Sequence, residues 1–511
     1  MSQQNQERIR YGNIIIPPNS GWLGVPKEVS NFGLGAIFVA FGVYLIGSRL
    51  PFLGTGLTFL VTLGIILIAA IIIFLRLRKG AFGRYKWEEK KMMKLFKKAK
   101  AQGYTSYRPG PSSNLPDGSF RLPGLLAGTQ NHQYTNSFHV PYGLIWDPER
   151  FTGTVFFSVA VPGLQLMDQE DIDRMVAQFA AFHREAGISA SIIQIAAKVV
   201  TTKDSGTRLP MAVAKQRSIA GDRDIPLTAR TIMDEVLEIE NQELPKVEHH
   251  VSLTFSARPV VEAGLPARSK EELAEEISTI IHGFVNSISE AAGGVTNLMD
   301  SQSITDHIYV MYNPDKSMAV DQAKNTAEGT GLLWEEVGPT YHEVEKDWYE
   351  HSGYYSKSFQ MWKPPAALFY EDSMKALLSP EPLAERKVVT LLYRPLSNDV
   401  SSKLALEIVD DAYWDANQKG KKGGSRSRTL KEKAERTEAE MAHGATLVPF
   451  GLVVTVTTDD PKKFPRLAAE TSRKATSGIN LRLREATYSH DAAFALGLGL
   501  GLTPRDFKLK G

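Results

Sequence analysis

Cysteine is missing from all 511 residues. Its absence excludes disulfides, thiolate metal sites, iron–sulfur clusters and a cysteine nucleophile. Net charge is nearly missing as well, since 59 Lys and Arg against 57 Asp and Glu leave +2. No G-x-x-x-x-G-K-[ST] run occurs, so the chain lacks the glycine-rich phosphate cradle of a P-loop NTPase. There is no G-x-S-x-G elbow and no H-E-x-x-H pair. The nearest lookalikes fail on spacing. GLGLG from Gly497 alternates its glycines without a G-x-x-G step and reads as a small-residue strand or turn, and GKKGGSRSR from Gly420 has its lysines misplaced. His249 and His250 would point to opposite faces of a strand, and His342 with Glu343, Glu345 and Asp347 matches no ligand spacing. No enzyme activity, metal or cofactor is expected.

What is present begins with charge in the wrong place for a balanced protein. Between Arg76 and Lys100 eleven basic residues face only Glu88 and Glu89. Just before them, Gly56–Leu75 (GLTFLVTLGIILIAAIIIFL) runs twenty residues without a charge, long enough to cross about 30 Å of hydrocarbon. Fourteen of the twenty are Leu, Ile, Val or Phe, a gross insertion term of roughly −4 to −8 kcal/mol. Phe32–Gly47 is shorter and richer in glycine, but only Ser48–Thr55 separates the two runs. The pair therefore reads as a transmembrane hairpin. Gly33, Ala36, Ala40 and Gly47 share one helical face, a small-residue stripe that lets the second span or a partner subunit approach closely.

Basic residues flanking a span stay on the cytoplasmic side, so both termini are expected in the cytoplasm and the hairpin in the plasma (inner) membrane. No cleaved signal peptide is expected, because the first apolar run starts thirty residues in. The basic run then acts as an anchor to anionic lipid, carried by Arg76, Arg78, Lys79, Arg84, Lys86, Lys90, Lys91 and Lys94.

Beyond a Gly/Pro/Ser-rich linker (Gly103–Pro123) strand and helix signals alternate. Strands are predicted from Val155, from Ile188 and around Val251–Phe255, with helices over Asp168–Arg184, Pro226–Glu240 and Lys270–Ile288. A second passage repeats the order: strands from Lys387, from Leu447 and over Ile479–Leu483, with helices after Asn398, over Thr429–Met441 and over Pro461–Ala475. The expected fold class is α+β, as two related lobes, 128–354 and 355–511, after a cytoplasmic segment (1–31), the hairpin (32–75) and a basic stretch with linker (76–127). Trp334, Tyr341, Trp348, Tyr354, Tyr355, Phe359, Trp362, Phe369 and Tyr370 crowd the junction, as interlobe core or as a protein interface.

Two stretches carry a resemblance. The hairpin with its entry VPKEVSNFGLG resembles the PrgI-like two-span subunit of type IV secretion and conjugation systems. The phrases SFQMWKPPAALFYEDSMKALLSPEPLAERKVVTLLYRPLS (Ser358–Ser397) and SGINLRLREATYSHDAAFALGLGLG (Ser477–Gly501) resemble the non-catalytic N-terminal region of the VirB-type conjugation ATPase. The resemblance implies a membrane-anchored scaffold that docks a separately encoded ATPase and other channel subunits, and self-associates. The alternative is a DNA-handling adaptor gripping nucleic acid through the Arg76–Lys100 run and a second basic loop, with Lys419, Lys421, Lys422, Arg426 and Arg428 as candidate phosphate or partner contacts.

Overall fold

The computed structural model describes residues 9–12, 14, 27–49, 55–80, 84–109, 121–163, 167–189, 191–203, 210, 213–214, 216–218, 226–239, 245–258, 266–324, 326, 328–365, 368–418, 425–442, 445–504 and 506. The chain divides into two compact units. One comprises Met1–Gly12, Gly103–Leu404 and Glu440–Gly511; the other comprises Asn13–Gln102 and Ala405–Ala439.

The smaller unit contains α1 (Lys27–Gly47), α2 (Thr55–Leu77) and α3 (Lys86–Ala101). Gly33 and Gly47 of the small-residue stripe stand where α1 meets α2. A Cβ on Gly47 would lie 2.5 Å from Thr58 Cγ2, and one on Gly33 3.4 Å from Ile73 Cδ1. Ala40 and Thr58 are both buried. Gly33 and Gly47 thus serve the second helix of the same chain. Elsewhere the two helices expose large apolar side chains, including Phe38, Ile46 and Phe74. Both are long and apolar enough to cross a membrane.

Among the described residues the larger unit is built on one sheet of thirteen strands. They are β1 (Ser106–Tyr107), β2 (Gln130–Thr135), β3 (Pro141–Asp147), β4 (Thr152–Ala160), β5 (Ile192–Thr202), β6 (Lys246–Ser256), β7 (Val295–Leu298), β8 (His342–Val344), β9 (Tyr349–His351), β10 (Tyr354–Lys363), β11 (Arg386–Tyr393), β12 (Phe450–Thr458) and β13 (Arg482–Glu485). The helices are α4 (Gln169–Ile188), α5 (Leu227–Ile239), α6 (Lys270–Ala292), α7 (Ser301–Tyr312), α8 (Ser317–Ala323), α9 (Lys375–Leu378), α12 (Phe464–Ile479) and α13 (His490–Gly497). In sequence between β11 and β12 come α10 (Asn398–Gln418) and α11 (Ser425–Ala442), whose residues from Ala405 to Ala439 belong to the smaller unit.

The strands run in the order β1-β8-β9-β10-β12-β11-β5-β6-β4-β3-β2, with β13 on β10 and β7 on β4. All pairings are antiparallel. Within it the order β5-β6-β4-β7 recurs as β11-β12-β10-β13, and β5 pairs with β11 from Thr202↔Arg386 to Ile195↔Tyr393.

Strand alternation gives the sheet two different faces. One is apolar. Leu144, Val155, Phe157, Leu253 and Phe255 pack under Phe182 of α4 and Leu273, Ile277, Ile281 and Phe284 of α6. Phe359, Val389, Leu452, Val454 and Val456 pack under Phe464, Leu467, Ala475 and Ile479 of α12. The predicted apolar stripes of these helices are the ones buried.

The other face is polar and yet covered. Ser356 bonds to Thr457 at 2.8 Å and Ser358 to Thr455 at 2.9 Å. The C-terminal run after α13 lies across it, its carbonyls accepting from Thr390 (at Gly497, 2.7 Å), Lys198 (at Leu498, 3.0 Å), Ser252 (at Gly499, 2.8 Å) and Gln194 (at Leu502, 2.8 Å). This turn requires glycine. Gly499 and Gly501 have φ of 74° and 88°, and a Cβ on Gly501 would lie 2.6 Å from Thr154 Oγ1. GLGLG is accordingly a helix end and turn rather than a strand. Of the aromatic group, Trp334 and Phe359 are buried, and Trp348, Tyr355 and Phe369 pack against the second apolar cluster.

Candidate functional site

The basic residues after α2 divide into two sets. Arg76 lies over the Phe32 ring at 5.0 Å, and Lys79 over the Tyr85 ring at 5.5 Å. Lys79 and Tyr85 form an antiparallel bridge; Gly80 N–H donates to Arg84 O at 2.6 Å and Lys86 N–H to Arg78 O at 3.0 Å. Burial lowers the Arg84 pKa, opposed by Glu89 and Glu88. Arg76, Lys79 and Arg84 are therefore engaged by the protein itself.

The second set stands on α3. Glu88 accepts from Tyr85 N–H at 3.2 Å and closes the first turn, where a carboxylate also suits the helix dipole. Lys86, Lys90, Lys94, Lys97, Lys98 and Lys100 are exposed, Lys91 and Met93 are half-buried, and Met92, Phe96 and Ala99 are half-buried on the remaining surface. At about 100° per residue the six exposed lysines fall within an arc of about 160°. Sequence reading named Lys86, Lys90 and Lys94 but ran them together with the arginines, because a charge count does not separate a bridged turn from a helix face. Arg78 is exposed.

Of the second basic cluster, Lys419, Lys421 and Lys422 lie outside the described residues, and Arg426 and Arg428 fall in the first turn of α11, where the backbone alone is described. Among the described residues no three His, Asp or Glu side chains are placed to hold a metal ion.

Titratable groups also gather where no motif pointed, under α7 on the polar face of the sheet. Lys198 Nζ lies 2.7 Å from His307 Nε2, and the His250 and His307 rings are 4.2 Å apart. A lysine ammonium only donates, so this contact makes His307 a neutral acceptor. Burial pushes Lys198 down to about 7, Glu248 opposing. It holds His250 and His307 well below the usual imidazole range, and the Lys198 charge adds to the effect. Arg386 donates to Val310 O at 2.7 Å and His351 bonds Tyr312 O at 2.7 Å, so both secure the last turn of α7. All five side chains are at most 7% exposed. Lys198, His307, Arg386 and His351 clamp α7 and the C-terminal run to the sheet, and His250 packs its ring against His307.

Ahead of the hairpin, Tyr11 N–H donates to Phe369 O at 2.8 Å and Phe369 N–H to Tyr11 O at 2.9 Å, while Arg10 Nε donates to the Tyr370 hydroxyl at 3.1 Å. Residues 9–12, ahead of the hairpin, thus belong to the same unit as Phe369 and Tyr370.

No protein-family model matches the chain, and no curated protein sequence matches it.

Proposed function

We propose that the chain is a membrane-anchored scaffold subunit of a type IV secretion or conjugation machine, docking a separately encoded ATPase at the cytoplasmic face. The observation that carries the anchoring is the hairpin: two apolar helices pack on each other through Gly33 and Gly47 and leave the rest of their apolar surface exposed. In water that surface would be costly; in lipid it costs nothing. Two spans return the chain to the side it left, which agrees with residues 9–12 falling in one unit with Gly103–Leu404 and Glu440–Gly511. The positive excess just after the second span favours the cytoplasm for that side.

The secretion role rests on the resemblance of the hairpin entry and of Ser358–Ser397 and Ser477–Gly501. The recurring strand order β5-β6-β4-β7 and β11-β12-β10-β13 supports reading the larger unit as two related α+β halves joined edge to edge. Purification in mild detergent from cells expressing the whole system tests the role. The expected result is co-elution of the chain with an ATPase and channel subunits; recovery of the chain alone would sink the scaffold reading.

A further inference from the structure

We infer that α3 is an in-plane surface helix whose lysine face binds anionic phospholipid headgroups. The inference rests on the reading of α1 and α2 as spans.

The first argument is depth. The bridge between Lys79 and Tyr85 turns the chain back on itself, and Lys86 N–H is bonded to the carbonyl of Arg78, the residue directly after α2. Thus α3 starts at the level where the second span ends. Its sixteen residues extend about 24 Å. Were it to stand upright, its far end would lie well beyond the ~8 Å over which a charged surface acts at physiological salt. The reversal at Lys79–Tyr85 works against that pose, whereas a helix laid along the surface keeps its lysines within that range.

The second argument is the distribution of side chains. Lys86, Lys90, Lys94, Lys97, Lys98 and Lys100 share one exposed arc, while Met92, Phe96 and Ala99 lie half-buried opposite it. Leu95, 39% exposed, sits at the border of the two arcs. Both acidic residues, Glu88 and Glu89, stand in the first turn, leaving the last three turns of the lysine arc without a countercharge of its own helix. Each lysine near an anionic leaflet contributes about 1 kcal/mol, about fivefold in affinity. Nucleic acid would meet the same charge, but the one aromatic ring among the lysines, Trp87, is half-buried rather than offered for stacking. Lipid is also the polyanion that the hairpin places beside the helix.

The cysteine-free chain permits a direct test. Ala101→Cys puts a single thiol at the exposed end of α3, on the lysine arc. The labelled full-length protein is placed in nanodiscs of phosphatidylcholine, with or without roughly a third phosphatidylglycerol, and quenched with neutral acrylamide. The expected result is quenching reduced about twofold by phosphatidylglycerol, restored by high salt and by the combined Lys90→Gln, Lys94→Gln, Lys97→Gln and Lys98→Gln variant. The Arg76→Gln and Lys79→Gln variant should keep the lipid dependence, because those cations face Phe32 and Tyr85. Equal quenching of the labelled Ala101→Cys protein in both lipids, with every lysine in place, overturns the inference by itself. Protection by single-stranded DNA in phosphatidylcholine, with none from phosphatidylglycerol, overturns it in favour of nucleic acid. Failure to enter nanodiscs at all refutes the spans and the inference together.

Discussion

Mild acid should unfold the larger unit, and two histidines set a minimum size for the effect. His342 and His351 lie side by side on β8 and β9, paired across the ladder, and both are buried. His351 Nδ1–H donates to Tyr312 O at 2.7 Å, so its Nε2 accepts from the Ser356 hydroxyl at 2.8 Å, a bond that protonation would destroy. Burial depresses His342 to about 4; burial, only partly opposed by the Tyr312 carbonyl, depresses His351 to about 3. The folded pKa lies below the unfolded value near 6.5 in both cases, so the unfolded chain binds more protons and stability falls as pH drops below 6.5. At pH 5 each group has lost about 1.5 pH units at 1.36 kcal/mol per unit, about 2 kcal/mol, and the pair about 4 kcal/mol. His183, His250 and His307 are lowered by the same burial and add in the same direction. Against a typical total of about 5–15 kcal/mol this is a large share. Urea unfolding of the detergent-solubilised chain, followed by tryptophan fluorescence at pH 7.5 and pH 5, measures it. Replacing His342 with Phe should reduce the acid loss by about 2 kcal/mol. A stability that stays level between those two pH values would refute the argument, since it would require both imidazoles to titrate normally in the fold.

Three further outcomes follow from single contacts. Gly47→Val should destabilise the hairpin by about 1–3 kcal/mol, because its Cβ would press on Thr58; Gly42→Val, which meets open space, should leave the melting temperature unchanged, and equal effects of the two would contradict the packing. Lys198→Met should lower the urea midpoint by an amount worth about 1–3 kcal/mol, since it leaves the Leu498 carbonyl and His307 Nε2 without their donor; an unchanged midpoint would show that the clamp contributes nothing. Tyr11→Cys with Phe369→Cys joins a hydrogen-bonded antiparallel pair whose Cα atoms stand about 5.5 Å apart, inside the disulfide range of about 4.4–6.8 Å. Oxidation of membranes carrying this variant should yield an intrachain disulfide; two thiols that label from opposite sides of the bilayer would rule out a shared side for residues 9–12 and 369.

The parts of the molecule that were legible in the sequence are those with one dominant period. The uncharged run Gly56–Leu75 lies within α2, and two glycines of the small-residue stripe, Gly33 and Gly47, stand against α2. Strands β4, β5, β6, β11 and β12 and helices α4, α6 and α12 stand where alternation and apolar stripes predicted them. By contrast α3 was invisible as a helix because its charge drew attention to composition rather than period. The apolar positions of β2 and α7 are interrupted by Asn, His, Gln and Ser, and the short apolar run of β3 is punctuated by Pro141 and Gly143, so none of the three shows a period.

The polar seam was illegible for a stricter reason. Alternation in β5, β6, β11 and β12 puts Lys198, His250, Ser252, Arg386, Thr390, Thr455 and Thr457 on one face, and a polar alternate face ordinarily means solvent. Here that face is buried, because Leu498, Gly499 and Leu502 present backbone carbonyls to it and α7 lies over the rest. A backbone acceptor leaves no trace in side-chain pattern, so no reading of residue types finds it. The glycines were the available sign. Close approach of a strap to a sheet requires residues without a Cβ, and Gly499 and Gly501 stand where the strap crosses Ser252 and Thr154. A glycine-alternating run that fits no phosphate motif is thereby better read as backbone laid against backbone, and the polar strand residues that seem to ask for water are its hydrogen-bond partners.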